Sequence, residues 1–253
     1  MRDSKKIFIL LAILAVIFIA CKKNDSQVLV LTEVSPPYNY IYQDSALGFS
    51  SEIVRRLLQT AGIDADIKFM DWSRTFHTAV NRPNTLIFSI ARTKEREELF
   101  TWIGRLSTDE AAVFARSNNL TRKPTTFAQL SDYSFRVIKD TYFYDYLKDT
   151  GFEIGNDNIS LTPQDLINEL VLGKTDLIIE GRNTINFTIR SMGYYLSEFE
   201  EVLRFPEEEK KELYIAANPN SDPELIDKMV KAYNQLKNSG AIDNIISKYL
   251  DDR

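Results

Sequence analysis

Hydrophobic and polar positions along this chain follow two different periods, which predict strands and helices in turn. Short apolar runs at residues 28–34 and 86–88 are typical of buried strands. Between them, apolar residues recur at helical spacing over residues 53–61, and residues 63–69 alternate apolar with polar side chains as a strand does. Strands that alternate with helices favour an α/β fold.

The second half of the chain continues this alternation. It predicts strands at residues 135–138 and 176–180, a helix that Thr162 caps with Pro163 in its first turn, and a last pair of helices from Asp222 onward. Extended segments at 110–116 and 213–217 predict two crossings between lobes. We therefore expect lobe 1 to contain residues 27–112 and 218–253, and lobe 2 to contain residues 113–217. Small ligands bind in clefts between such lobes.

The N-terminus predicts export. Basic residues precede an unbroken apolar run at residues 7–20, which is too short to span a bilayer but fits a signal peptide over residues 1–20. The junction resembles a lipoprotein signal that is cleaved before Cys21, with lipidation of that thiol. An uncleaved anchor helix with an incidental cysteine is the alternative.

A lipid on Cys21 and a polar linker at residues 21–26 would tether the rest of the chain to a membrane, in the periplasm or at the cell surface. Because Cys21 is the only cysteine, it suits attachment better than catalysis.

The composition argues against some classes of binding partner. The net charge of −5 and the lack of a large basic cluster argue against nucleic acid. His77 is the only histidine, so no Cys/His set for zinc exists. We expect a monomer without metal or cofactor.

Candidate chemistry is concentrated between Thr85 and Leu106. Ser89 and Ala91 end the apolar strand there, and Thr93 is placed to cap a short helix whose first turn carries Arg96. A hydroxyl, free backbone N–H groups and a guanidinium suit a small anionic group. The alternative is that Arg96 pairs with neighbouring glutamates on a solvated face.

Other strand ends add to this candidate site. Glu33 lies at the end of one predicted strand and Trp72 follows another. Ligands bind at the carboxyl ends of strands in open α/β sheets. Trp72 as an ordinary core residue is the alternative.

The same stretch resembles the ligand-binding signature of family 3 extracellular solute-binding proteins, which have the type II periplasmic-binding-protein fold. The matching positions are Thr93, Arg96, Phe100, Trp102 and Gly104. The resemblance continues through the Pro-Pro-Tyr loop at residues 36–40, the Gly-Phe helix start at 48–49 and the C-terminal pattern at 223–250. It implies a two-lobed α/β fold with lobe 2 inserted in lobe 1 and a two-strand hinge.

The resemblance also implies how a ligand is held. Arg96 would bind its carboxylate, Trp72 would stack on it, and Glu33 or Glu180 would neutralise its ammonium group, although the family acid lies at the position of Gly181. Glu180 as a surface charge is the alternative. Ser35 and Ala91 depart from the family pattern. The further implied contacts are Ser89, Tyr38, Asp140, Thr141 and Tyr142.

These features predict an extracytoplasmic lipoprotein that captures a small carboxylate-bearing solute, an amino acid or a related compound, for an ABC importer. Its partner would be a permease in the inner membrane. One alternative is an enzyme of the cyclohexadienyl-dehydratase type, with Glu180 or Glu33 as the proton donor. A second is a sensor that uses the same lobe closure without transport.

Overall fold

The computed structural model of the chain describes residues 27–117 and 119–251. The predicted signal peptide, the lipidation of Cys21 and the linker at residues 21–26 lie outside the described residues.

Twelve strands and seven α-helices make up the described part of the chain. The strands are β1 (Leu29–Thr32), β2 (Tyr40–Tyr42), β3 (Ser45–Leu47), β4 (Ile67–Phe69), β5 (Thr85–Ala91), β6 (Thr101–Asp109), β7 (Ala111–Arg116), β8 (Phe135–Ile138), β9 (Ile159–Ser160), β10 (Leu177–Gly181), β11 (Phe199–Arg204) and β12 (Lys211–Ala217). The helices are α1 (Phe49–Ala61), α2 (Trp72–Asn81), α3 (Tyr142–Asp149), α4 (Pro163–Val171), α5 (Arg182–Ser191), α6 (Pro223–Asn238) and α7 (Ala241–Asp251). The alternating pattern of the sequence is therefore present, with short 3₁₀ turns between several elements.

Two five-stranded sheets define two lobes. The sheet of lobe 1 has the order β4-β1-β5-β12-β6, and that of lobe 2 has the order β11-β7-β10-β8-β9. In each sheet the strands that alternate with helices are parallel, as β1 is to β4 and β5, and the strands next to the lobe crossings are antiparallel. The α/β, two-lobed fold class expected from the sequence is confirmed.

The first change of lobe lies at the start of the expected segment 110–116, and the second lies before the expected segment 213–217. β6 passes into β7 at Glu110, and β11 passes into β12 through residues 205–210. The expected crossing at 213–217 is wrong, because this segment pairs with β5 on one side and β6 on the other inside the sheet of lobe 1. The apolar sequence of this segment predicts an extended connection. In the structure it is an inner strand of the sheet, and most of its residues are buried.

Two local expectations also differ. Of the alternating residues 63–69, only Ile67–Phe69 form a strand, β4 at the edge of the sheet. The segment after β5 is a 3₁₀ turn at Lys94–Leu99, and Thr93 makes no side-chain cap bond to it. Such a short turn ends too soon to need the capping of an α-helix.

The core of lobe 1 lies on both faces of β5, all seven residues of which are buried. Ile53, Val54 and Leu57 of α1 are fully buried in it, as their helical spacing predicts. Within the described ranges, no helix has both the length and the apolar character that a membrane crossing requires.

Gly104 of β6 leaves the space into which α6 packs. A Cβ atom at this position would lie 2.2 Å from the ring of Tyr233, whose hydroxyl donates a 2.8 Å hydrogen bond to the Arg105 carbonyl. The ring is thus held from its far end and has little freedom to move away. The glycine of the family signature has a packing role here.

We expect Gly104→Ala to lower the free energy of unfolding by about 1–3 kcal/mol, because the added methyl overpacks a closed contact. Urea denaturation measures the change. Gly155→Ala is the control, since its Cβ would have its nearest neighbour 3.8 Å away, at the side chain of Asn158. Equal midpoints for the two variants would contradict this explanation.

Candidate functional site

Ser89 is the extra residue of a β-bulge in β5. Phe88 pairs with Ile215 and Ile90 pairs with Tyr214, so Ser89 has no partner across the ladder. Its φ of 58° is left-handed, a conformation uncommon for residues other than glycine. The bulge directs Ser89 toward the other lobe, where its buried Oγ has no hydrogen-bond partner among the described residues.

Arg96 is buried between the lobes, with 2% of its surface exposed. Its Nη2 donates to the carbonyl of Asp140 at 2.8 Å and to Asp145 Oδ2 at 3.0 Å, and both residues belong to lobe 2. The alternative of a solvated pair with its neighbouring glutamates is wrong, because Glu97 pairs with Arg92 instead. Nε of Arg96 has no hydrogen-bond partner in the described part of the chain.

Trp72 belongs to both the core and the site. It is 3% exposed and lies at the N-terminus of α2, with its ring centroid 5.8 Å from the Arg96 guanidinium. Its indole Nε1 donates to the Asp140 carbonyl at 2.6 Å. Trp72 therefore supports Arg96 by a cation–π contact and ties lobe 1 to lobe 2.

Asp140 is the point on lobe 2 at which several lobe 1 side chains meet. Its φ of 63° is left-handed, and this turn aims both its carbonyl and its carboxylate at lobe 1. The carboxylate accepts a hydrogen bond from Ser73 and lies 3.3 Å from His77 Nε2. These contacts hold the lobes together at the start of α3.

Three carboxyl groups line the same cavity as Arg96, those of Glu33, Asp109 and Glu180. Burial and the nearby Asp109 carboxyl raise the pKa of Glu33 to about 8, with Arg96 acting against them. Burial raises the pKa of Asp109 to about 6 despite the hydroxyls of Tyr38 and Tyr142, which donate to it at 3.1 and 3.3 Å. Burial and the Glu33 charge raise the pKa of Glu180 well above its usual range. Glu180 is buried, so the alternative of a surface charge is wrong.

Asp109 takes the space that an acid at position 181 would need. A Cβ on Gly181 would lie 2.7 Å from Asp109 Oδ1. The carboxyl group at this point of the cavity is therefore that of Asp109 at the end of β6, next to the Glu180 carboxyl of β10. Within the described residues, no three Asp, Glu, His or Cys side chains are arranged to hold a metal ion.

One cavity between the lobes brings most of the expected residues together. It is lined by Glu33, Ser35, Trp72, Ser89, Ala91, Arg96, Asp109, Thr141, Tyr142, Phe143, Glu180 and Leu213. Its volume is about 30 Å³, enough for one or two water molecules. The lobes are thus closed on each other, and a larger molecule enters only when they part.

Two expected residues lie outside this lining. Tyr38 is buried behind it, where its hydroxyl contacts Asp109 and accepts a 3.0 Å hydrogen bond from Asn183. Asp140 faces a separate, open pocket on the outer side of Arg96. Both act on the cavity through other residues.

Two acidic residues near Arg96, Asp109 and Asp145, are not predicted from the sequence. Asp109 ends β6, and a correct assignment of β6 and β12 as paired strands would have marked it as a strand-end carboxylate. Asp145 lies in the first turn of α3, four residues after Thr141, whose hydroxyl caps the helix by accepting from the Tyr144 N–H. Its pairing with Arg96 has no sequence signal, because the two residues are 49 positions apart.

A family model for bacterial extracellular solute-binding proteins, family 3, matches residues 28–252. No protein of curated function matches at the level of sequence.

Solved structures with the same fold include three of particular interest. A histidine kinase sensor domain with similarity to periplasmic binding proteins has a TM-score of 0.75 at 19% identity, covering 90% of this chain and 98% of its own. The arginine-, lysine-, histidine-binding protein of Geobacillus stearothermophilus has a TM-score of 0.72 at 18% identity, covering 88% and 95%. An ABC uptake transporter substrate-binding protein from Streptococcus pneumoniae, with bound histidine, has a TM-score of 0.74 at 17% identity, covering 89% and 92%.

At these low identities, the similarity to the solved structures shows only that the fold is shared. The family model, in contrast, matches nearly the whole described chain. The chain belongs to the bacterial extracellular solute-binding proteins of family 3.

Proposed function

We propose that this protein captures a small solute that carries a carboxylate and an amine, an amino acid or a close relative, and passes it to an ABC importer. One observation carries the proposal: Arg96 and the carboxyl groups of Glu33 and Glu180 line a single cavity between the lobes. A zwitterionic solute has the charges that complement both.

The carboxylate end is supported by two unsatisfied donors. Arg96 Nε and Ser89 Oγ are buried without hydrogen-bond partners among the described residues, and both residues line the cavity. Buried polar groups are normally paired, so donors left over in a cavity suit an acceptor from outside. Each charge-assisted hydrogen bond to a carboxylate contributes about 1.5–3 kcal/mol.

The amine end is supported by Glu33. Its carboxyl group makes no hydrogen bond within the described residues, whereas Asp109 accepts from two tyrosines and Glu180 from the Gly181 N–H at 2.7 Å. An ammonium group provides the positive charge that these carboxyls require in order to ionise together.

Capture and release use the two crossings as a hinge. Glu110 and residues 205–210 are the connections between the sheets, and opening there separates lobe 2 from Arg96. Closure then buries the solute and removes water from its ion pairs, which strengthens them.

We also propose that cleavage before Cys21 and lipidation anchor the protein outside the cytoplasm, in the periplasm or at the cell surface, as a monomer. The basis is the N-terminal sequence.

Sensing is a second candidate function. A neighbour with the same fold is a histidine kinase sensor domain, and lobe closure serves signalling as well as transport. Uptake of radiolabelled solute by cells with and without this protein separates the two, since a sensor leaves the uptake rate of a preformed transporter unchanged.

A dehydratase is a third candidate, because the raised pKa of Glu180 suits a proton donor. Incubation of the protein with prephenate and arogenate, followed by absorbance, tests it.

A thermal-shift screen of amino acids, their derivatives and organic acids tests the binding proposal. A solute at 100 times its Kd should stabilise the protein by about 2.7 kcal/mol. We expect Arg96→Gln to abolish the shift, because the carboxylate loses its charged partner. The control is Arg74→Gln on the exposed side of α2. A shift that survives in Arg96→Gln would exclude Arg96 as the anchor.

We expect the affinity for the best amino acid of that screen to rise between pH 6 and pH 8. The pKa of Glu33 is about 8 in the closed cavity, so a proton must leave before this carboxyl pairs with an ammonium group. Each pH unit below the pKa then weakens binding by up to about tenfold. Calorimetry in two buffers of different ionisation enthalpy measures the released proton.

In Glu33→Gln this pH dependence should become shallower, because one of the titrating groups is gone. The exposed Glu153→Gln variant should keep the original profile. An unchanged slope in Glu33→Gln would exclude Glu33 from the amine site.

A further inference from the structure

One part of the Arg96 guanidinium lines the cavity, and another part contacts groups of lobe 2. Its Nη2 reaches Asp145 Oδ2 at 3.0 Å and the Asp140 carbonyl at 2.8 Å, both outside the cavity that would hold the solute. Asp145 lines instead an open pocket on the outer side of Arg96, with Glu95, Lys148 and Asp149. A carboxylate from lobe 2 therefore already neutralises the arginine that faces the cavity.

The two partners differ in burial. The side chain of Arg96 is 3% exposed, whereas that of Asp145 is 40% exposed. A guanidinium cannot lose its proton, so burying it without a counter-charge is strongly unfavourable. Asp145 meets this need and borders solvent, so its carboxylate is hydrated when another anion replaces it beside Arg96.

This ion pair exists only when the lobes are closed. Arg96 lies in lobe 1 directly after β5, and Asp145 lies in α3 of lobe 2. Opening at the hinge separates them and returns both to water. The pair thus gives the closed arrangement a favourable interaction that needs no solute.

Other contacts join the lobes around Arg96 as well. The Trp72 indole of lobe 1 donates to the Asp140 carbonyl of lobe 2 at 2.6 Å. The ion pair is thus one of several contacts between the lobes that involve protein groups on both sides.

We propose that Asp145 is a specificity-determining residue, a built-in counter-ion for Arg96 that lets the lobes close without a solute and reduces the advantage a solute gains from a carboxylate. The selectivity part rests on the proposed function, since it assumes that Arg96 meets the carboxylate. The closure part does not.

Asp145→Asn removes the charge and keeps the shape. Arg96 then has no anionic partner in the closed arrangement until a solute supplies one. The closed fraction should fall without solute, and a carboxylate should matter more for binding. Asp149→Asn is the matched control, because Asp149 lies one helical turn further along α3 and lines the same open pocket without an ion pair to Arg96.

Pulsed electron spin resonance on the full chain in detergent measures closure, with Cys21→Ser and spin labels at Arg74→Cys and Glu153→Cys, two exposed positions in opposite lobes. We expect the parent and Asp149→Asn to give mainly the short distance and Asp145→Asn to move population to longer distances. Asp145→Glu should restore the short distance in part. Circular dichroism checks that each variant is folded. An unchanged distance distribution in Asp145→Asn would overturn the closure part.

Calorimetry with two matched pairs, L-lysine against cadaverine and L-arginine against agmatine, measures the value of the carboxylate. We expect the preference for the amino acid to increase about tenfold or more in Asp145→Asn, since one neighbouring opposite charge shifts an ionic equilibrium by at least that amount. An unchanged preference would overturn the selectivity part.

The two proposals can fail separately. If no amino acid binds but Asp145→Asn opens the lobes, the amino-acid function fails and the closure role of Asp145 stands. If amino acids bind through Arg96 and the distances stay the same, the reverse holds.

Discussion

A guanidinium buried between two lobes is the constraint on which this structure depends. Arg96 keeps its charge at any physiological pH, so the surrounding protein must compensate it on every side. Lobe 1 supplies aromatic faces, with the ring centroids of Trp72 and Phe76 at 5.8 and 5.1 Å. Lobe 2 supplies a carbonyl and a carboxylate at the start of α3. Neither lobe completes this environment alone, and the position of one lobe on the other is therefore tied to one side chain.

The acidic residues of the same cavity differ from Arg96 in how burial affects their charge. Carboxyl groups, unlike a guanidinium, can bind a proton, and the raised pKa values of Glu33 and Glu180 follow from that option. Asp109 relies more on hydrogen bonds, from Tyr38 and Tyr142. The cavity thus combines a fixed positive charge with negative charges that depend on what lies beside them.

Much of the fold could be predicted from sequence, because local patterns determine it: the capped start of α4 at Thr162 and the helical spacing of α1 are present as expected. The site was harder. The apolar sequence of β5 does not predict the bulge at Ser89, because the bulge results from a shift in the pairing register between β5 and β12. Sequence neighbours suggested glutamates as partners for Arg96, yet the turn at residues 94–99 directs Glu97 to Arg92 and leaves Arg96 to lobe 2. Asp109 is not predicted from the sequence, because its strand pairs with β12, a segment whose sequence predicts a connection between the lobes. Local periodicity predicts helices and strands. The partner of a side chain across a cleft depends on tertiary packing, which local periodicity does not describe.

The contact between Gly181 and Asp109 limits how this site can diverge. Because a Cβ at 181 would lie 2.7 Å from Asp109 Oδ1, the two positions compete for one space. An acid can be supplied by β10 or by β6, but a carboxyl at 109 excludes any side chain at 181 unless one of them moves. A side chain added at 181 while Asp109 is present overcrowds this space, whereas removal of Asp109 first leaves the cavity with the carboxyl groups of Glu33 and Glu180 only. Which side chain position 181 can accept therefore depends on the residue at position 109.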